Sequence, residues 1–395
     1  MVKQITLLHI VTVPETFTFF RGQIAFMKKR GFRIHGVASP GKELSAVIKR
    51  EQIPVTPIVM PRRITPWADL KALLQLYRLC RRLRPDIVHA HTPKGGLLGV
   101  IAARLAGARV IMYGLRGLPF VTATGLKRRL LCWTEMIACG WAHRVVAVSR
   151  AIRQTIIETG LCPADKIVVL ANGSSNGVDS QVRFNPGLLP PHCRETLRQQ
   201  YNIPLDSLVV GFVGRIVRDK GIIELEASWR ELRRRFPELL LLLVGDLETQ
   251  DPIPAEVWQR LQADPKVIIT GWVNDLAPFY AAMDIMVLPT YREGFPNTPL
   301  EAAAMRIPVV TTSVDGCPEA TLSEITGIIV PPRNSPALTM AIERLILNPD
   351  LGKRMGEAGR EWVVQQFRPV LVWQALYEQY LELLQASSPE SAPYQ

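Results

Sequence analysis

The apolar positions of this chain fall into two kinds of run that alternate from one end to the other. Short, nearly continuous stretches of Val, Ile and Leu ("ITLLHIVTV", "IHGVAS", "IPVTPIV", "PDIVHAH", "ARVIMYG", "HRVVAVS", "KIVVLAN") are separated by longer segments in which apolar residues recur at helical spacing. A strand that is apolar on both sides of its pleat is covered on both faces, which is the signature of a parallel sheet with crossover helices. The first half therefore predicts a doubly wound α/β domain. From Asn172 to Pro204 the pattern gives way to Gly, Pro, Ser and Asn, marking an irregular crossing, and the domain boundary is expected near residue 190. A second alternation follows ("SLVVGFVG", "LLLLLVGD", "KVIITGW", "DIMVLPT", "IPVVTTS", "TGIIVPP") and predicts a second α/β domain over 191–370. The stretch "RPVLVWQALYEQYLELL" has helical spacing and is expected to pack back toward the first domain, leaving "QASSPESAPYQ" as a disordered tail.

Length agrees with this division, because 395 residues is about twice a usual domain. Charge adds something the pattern does not show. Residues 1–200 carry 30 Lys and Arg against 10 Asp and Glu, whereas the remainder carries 17 against 25. A basic half beside an acidic half points to an anionic partner for the first domain (a membrane surface, nucleic acid or a phosphorylated substrate) or serves solubility alone, and a membrane surface fits better than nucleic acid. The helical stretch 69–84 sets Arg78, Arg81, Arg82 and Arg84 among leucines, and "LKRRLLCW" (126–133) does likewise. Either segment reads as an interfacial helix or as a crossover helix with a solvated basic face. No window approaches the length of a membrane span and the N-terminus lacks signal-peptide features, so membrane contact is expected to be peripheral. The six cysteines form no C-x-x-C pair and read as thiols of a reducing compartment.

Two stretches carry candidate chemistry. In "GFVGRIVRDKG" a buried strand ends at Gly214, and Arg215 and Lys220 follow at its exit. A guanidinium fork and a mobile ammonium suit a diphosphate, although two solvated basic residues opening a helix would read the same. In "REGFPNTPLEA", Glu293 and Gly294 precede a helix whose expected N-cap is Thr298, with Pro299 at the first position and Glu301 three residues past the cap. Glu301 is thus either a capping-box residue or a ligand contact. Glu293, at the carboxyl end of a strand, is placed to accept hydrogen bonds from sugar hydroxyls, and the N–H groups near Asn297 and Thr298 are placed to meet an anion. Together these features describe a nucleotide-sugar site.

The same two stretches, in this order, resemble those of the retaining glycosyltransferases of family four, with the spacing of that family's two glutamates matched by Glu293 and Glu301. The resemblance covers nearly the whole chain. It implies the GT-B fold, two Rossmann-like doubly wound parallel-sheet domains with a cleft between them. It also implies that Glu293 contacts the donor sugar, Glu301 the ribose, and Gly214, Arg215 and Lys220 the diphosphate. Gly294, Phe295, Asn297 and Thr298 would complete that site, and Val273, in "GWVND", would meet the base. No metal and no cofactor beyond a nucleotide-sugar co-substrate, most simply a UDP-sugar, are expected, and no D-x-D signature is present. In the first half, "VPETFTFFRGQIAFMKKRGF", "VHAHTPKGGLLGVIAARLAG" and "NGSSNGVD" are similar to the bacterial subgroup that extends lipid-linked or surface polysaccharides. That likeness implies a polyprenyl-diphosphate-linked saccharide acceptor near Thr16, Arg21, His91 and Lys94, and an enzyme at the cytoplasmic face of the plasma membrane. His89 and His91 read as packing or acceptor-side residues rather than metal ligands, and Lys94 as either a phosphate contact or an ordinary helix-start lysine. One departure stands out: "RGLPF" places Arg116 where the subgroup has a histidine facing the donor sugar. Arg116 joins Glu293, Arg215 and Lys220 as a catalytic candidate, and its substitution admits an altered donor or lost activity. An epimerase or phosphorylase of the same fold, or a silent scaffold of a polysaccharide assembly, is the competing reading.

Overall fold

The computed structural model describes residues 4–41, 43–249 and 251–387. Every predicted strand segment forms a strand. Those of the first unit are β1 (Ile5–Ile10), β2 (Phe32–Ala38), β3 (Val55–Pro57), β4 (Ile87–His91), β5 (Val110–Leu115), β6 (Arg144–Ala147) and β7 (Ile167–Val169). They pair in parallel in the order β3-β2-β1-β4-β5-β6-β7. The second unit holds β8 (Val209–Val213), β9 (Leu240–Val244), β10 (Val267–Ile269), β11 (Ile285–Leu288), β12 (Val309–Thr312) and β13 (Gly327–Val330). Their order, again parallel, is β10-β9-β8-β11-β12-β13. Each sheet is wound in both directions from its first strand, so each has a switch point: between β1 and β4 in the first unit and between β8 and β11 in the second. In open parallel sheets ligands bind beyond the strand carboxyl ends at such points.

The units divide at 176/177, before the boundary expected near 190, and at 368/369, close to the expected 370. The reason is hydrogen bonding that composition does not reveal. The Val178 N–H donates to the Phe367 carbonyl at 2.8 Å, and Arg360 donates to the Phe184 carbonyl at 3.3 Å and to Asn185 Oδ1 at 2.9 Å. These bonds tie residues 178–185 to the second unit. The last helix, Pro369–Ala386, belongs to the first unit: Leu376, Tyr380 and Leu384 enter its core beside Leu7, Phe17, Ile24, Phe32 and Met112. The Trp373 indole N–H fixes the helix start on Asn176 Oδ1 at 2.6 Å. Burying three large side chains of this kind stabilises the unit by about 5–8 kcal/mol, so the helix is part of the domain. Gln385 and Ala386, expected in the tail, lie in this helix, and the expected tail from 388 onward falls outside the described residues.

The charge asymmetry survives the shifted boundary. The first unit has 27 Lys and Arg against 11 Asp and Glu, the second 20 against 24. Among the described residues no helix is long and apolar enough to cross a membrane.

Candidate active site

At the switch point of the second unit the two motifs meet. The loop leaving β8 turns through a short 3-10 segment, Arg218–Lys220, and Gly221 then opens the helix Ile222–Arg235. The loop leaving β11 runs from Pro289 to Pro296. Asp219 locks the two together: its carbonyl accepts from the Tyr291 N–H at 2.8 Å and the Thr290 hydroxyl at 3.0 Å, and its carboxylate pairs with Arg292 at 2.8 Å. The result is an ion pair between Lys220 Nζ and Glu293 Oε1, with the two side chains only 16% and 15% exposed. Gly221 permits the approach. Its φ is +71°, and a Cβ there would lie 1.9 Å from the Pro289 carbonyl oxygen. Gly221→Ala is therefore expected to cost about 3 kcal/mol and to move the β11 loop. Urea unfolding together with the apparent KM for the donor measures both; an unchanged midpoint would show that the loops yield freely.

The remaining predicted residues of this unit gather around the pair to different degrees. Gly214, at φ +153°, ends β8, and Arg215 follows it. Arg215 does not share Lys220's partner: its guanidinium is 57% exposed and pairs with Glu248, beyond β9, at 2.8 Å. Gly294 is held against the loop after β12, where a Cβ on Gly316 would come within 2.4 Å of the Gly294 carbonyl. Phe295 is buried, 5.7 Å from the Phe367 ring. Val273 is half-buried just past Trp272, whose N–H donates to Asp246 Oδ1 at 2.8 Å.

The capping box expected at Thr298 is not formed. The helix runs Asn297–Ala304, so Asn297 and Thr298 both lie inside its first turn, and Pro296 precedes it. Glu301 turns away from the helix end and accepts from the Tyr280 hydroxyl at 2.9 Å. Burial raises its carboxyl pKa, while the Tyr280 bond and the Arg183 charge act the other way. Tertiary packing supplied a better partner than the local N–H. Asp315, half-buried beside Glu293, is likewise raised by burial. Glu248, Asp315, Gly316 and Tyr280 were not picked out from the sequence; only "DG" after β12 carried a signal, as a turn.

The first unit concentrates its unusual groups at its own switch point. Thr92, a β-branched residue with φ +67°, follows β4, and its hydroxyl meets that of Thr12, after β1, at 2.6 Å. Strain of this kind costs about 1–3 kcal/mol and collects at functional positions. His9 from β1 and His89 and His91 from β4 are buried together. His9 Nδ1 and His91 Nε2 lie 3.1 Å apart, and His89 Nδ1 is 2.8 Å from the Tyr380 hydroxyl. His9 was invisible as a partner in the sequence, lying 80 residues before the other two. Burial, reinforced by the Arg116 charge, pushes His9 down to about 3, and burial also takes His89 and His91 well below the usual imidazole value. Their ring nitrogens lie within 4.8 Å of one another, a spacing that a metal ion could bridge. The neighbouring guanidinium opposes a second cation there, and two of the three rings already share a hydrogen bond.

Of the four acceptor candidates only His91 lines the pocket at this switch point. His91 lines a pocket with Arg116, Phe20, Gln23, Ser174 and Ser175, but Thr16, Arg21 and Lys94 do not line it. Thr16 is buried in the 3-10 turn Pro14–Phe20, and Arg21 is exposed at its end. Lys94 is engaged with Asp69 at 2.7 Å and with the Arg63 carbonyl. Its ammonium thus clamps the 63–65 loop to the start of the helix Pro93–Ala106, the structural alternative to a phosphate contact.

Two doubly wound parallel-sheet units are the architecture of the GT-B class, and the comparison with known proteins supplies the activity. Residues 18–173 match the glycosyl transferase 4-like domain and residues 193–362 match the glycosyl transferases group 1 family. The chain is 36% identical over 386 residues to the capsular polysaccharide biosynthesis glycosyltransferase CapM of Staphylococcus aureus, covering 98% of this chain and 99% of that one. It therefore belongs to the group 1 glycosyltransferases. It is also 26% identical, over 68% of each chain, to the UDP-Gal:alpha-D-GlcNAc-diphosphoundecaprenol alpha-1,3-galactosyltransferase of Escherichia coli. Among solved structures, a glycosyltransferase from Rickettsia africae superposes with a TM-score of 0.79 at 24% identity, covering 97% of this chain and 99% of that one. Anabaena HepE in complex with UDP-glucose superposes with a TM-score of 0.79 at 21% identity, over 95% and 99%. These two share the fold.

Proposed function

We infer that this glycosyltransferase takes a hexosyl or N-acetylhexosaminyl group from a UDP-sugar and passes it, with retention and without a metal, to a saccharide carried on polyprenyl diphosphate. The setting would be the synthesis of a bacterial surface polysaccharide. The observation that carries this reading is the meeting of Lys220 and Glu293 at the β8/β11 switch point. A carboxylate there can accept from donor-sugar hydroxyls, and an ammonium beside it can take up the negative charge that grows on the departing phosphate. Arg215, exposed one residue past Gly214, can add a fork on the same phosphates by exchanging Glu248 for them. Glu301, held by Tyr280, keeps one carboxylate edge for ribose hydroxyls. The choice of UDP is supported by the HepE complexes, and that of a diphosphoundecaprenol-linked acceptor by the name of the E. coli relative.

The first unit's surface supports a peripheral position on the inner face of the plasma membrane. The helices Pro66–Leu83 and Gly125–Trp141 both pack against Pro93–Ala106, so they share one face of the sheet. Trp67 is 86% and Leu126 81% exposed, with Leu70, Leu74, Leu130, Trp133 and Met136 also exposed. Lys71, Lys127, Arg128 and Arg129, on the same two helices, are exposed as well. Apolar tips within a basic field suit an anionic bilayer, each charge near the surface contributing about 1 kcal/mol.

Transfer is tested by incubating the protein and its Glu293→Ala variant with bacterial membrane lipid and labelled UDP-, GDP- and ADP-sugars, then counting label in the lipid phase. Label from one UDP-sugar, absent with the variant, is expected; label only in water-soluble product would refute the lipid-linked acceptor. For the membrane face, neutralising Lys127, Arg128 and Arg129 together is expected to weaken binding to phosphatidylglycerol vesicles about 100-fold. Equal sedimentation of both proteins would remove this face from the reading.

A further inference from the structure

Arg116 brings a positive charge into the first unit with no acidic partner among the described residues. It follows β5, and its Nε and Nη1 atoms are enclosed and make no hydrogen bond. The Phe19 and Phe20 rings lie 5.0 Å and 5.2 Å from the guanidinium carbon. Ring faces answer part of the charge, but they leave the in-plane N–H donors unused.

The groups around it arrive from every neighbouring element. Gln23 comes from the first helix, His89 and His91 from β4, Ser174 and Ser175 from the loop after β7, and Val372 and Leu376 from the last helix. Among the described residues no Asp or Glu lines the pocket. His91 Nδ1 and His89 Nε2 are also enclosed without partners. They face a common point: a Cβ on Gly114 would stand 2.4 Å from the first and 3.3 Å from the second. Burial lowers Arg116 only to about 10, whereas all three imidazoles are held neutral, so near pH 7 the pocket contains one cation and several neutral donors.

A buried cation is costly until an anion joins it. A guanidinium with idle N–H groups, imidazole N–H groups and serine hydroxyls is a donor set for oxygen atoms that bear negative charge. We propose that the Arg116 pocket is an oxyanion subsite that receives a phosphate or carboxylate group of the substrate. The transferase reading says what molecule carries that group, a phosphorylated lipid carrier or an acidic sugar; binding of the anion itself does not depend on it. The histidines act here as hydrogen-bond partners, and a divalent metal among them would be repelled by the ion that the pocket is built around.

The test uses the full chain in a Lys220→Ala background, which removes one cation of the second unit. Sodium phosphate and sodium glucuronate are titrated separately at constant ionic strength against a chloride control, with affinity read by calorimetry and stability by thermal unfolding. Saturable binding of one of the two is expected, weakened at least about 10-fold by Arg116→Gln. Phosphate binding assigns the subsite to a phosphate of the substrate, glucuronate binding to an acidic sugar. Without ligand, Arg116→Gln is expected to melt no lower than its parent, because a charge lacking an ionic partner has been removed. Arg116→Lys, keeping the charge, is expected to retain part of the affinity. Binding unchanged by Arg116→Gln, no binding beyond chloride, a fall in ligand-free melting temperature for both variants, or stoichiometric zinc in the purified protein would each overturn the proposal. A wild-type chain that binds the anion yet labels no acceptor would instead refute the transferase reading alone.

Discussion

Lys220→Ala and Glu293→Ala are each expected to lower turnover about 100-fold or more, the usual effect of removing one group that stabilises developing charge. The ion pair makes a further, separable prediction. Both side chains are about five-sixths buried, so removing either leaves the other charge without a partner and is expected to cost about 2 kcal/mol of stability. Lys220→Met combined with Glu293→Gln removes both charges and should recover most of that loss. It should not recover turnover, because the carboxylate and the ammonium are both needed by the substrate. Urea unfolding and transfer rates on the two singles and the double separate the roles. Recovery of activity in the double variant would show that the pair serves folding alone.

Acidification from pH 7 toward pH 4 is expected to destabilise the first unit steeply. His9, His89 and His91 have folded pKa values pushed far below 6.5, with His9 at about 3, so over this range the unfolded chain binds protons that the folded chain refuses. Stability is full above about 6.5 and is lost as the pH falls, at about 1.4 kcal/mol per pH unit for each histidine. Glu135 opposes this. Its carboxyl, buried against the Tyr113 hydroxyl at 3.0 Å, is raised to about 7, so the folded state holds one extra proton between about pH 7 and 4.5. From these four groups, three refused protons against one held give a slope of about 2.7 kcal/mol per pH unit in that window, and His35 and His143, also lowered by burial, add to it in the same direction. Hydrogen exchange at the amides of β1 and β4 measures it on this unit alone. His9→Gln should reduce the slope by one proton, and an unchanged slope would show that His9 titrates normally.

The two effects arise at equivalent places, the switch points of two sheets wound the same way. Where the second unit sets a paired Lys and Glu, the first sets neutral imidazoles around a guanidinium. Arg116 is thus the one charged member of a pocket whose other members are all neutral.

What the sequence determined by itself was whatever depends on neighbours along the chain. A strand buried on both faces must be apolar throughout, so all thirteen strand segments were legible, and the parallel two-unit architecture with them. The residue types at the β8 and β11 exits were legible for the same reason. Partners were decided by the tertiary structure. Lys220 and Glu293 are 73 positions apart and meet because β8 and β11 are adjacent in the sheet, an order that no local pattern encodes. Glu301 left its local N–H for Tyr280, Lys94 was taken by Asp69, and Arg215 by Glu248. His9 joined His89 and His91 only once β1 lay beside β4. The unit boundary moved to 176/177 because hydrogen bonds from residues 178–185 reach a helix nearly two hundred positions away. Hydrophobic periodicity is a local property and survives in one dimension; the pairing of charges and hydrogen bonds is fixed only when sheet order brings distant loops within a few ångströms.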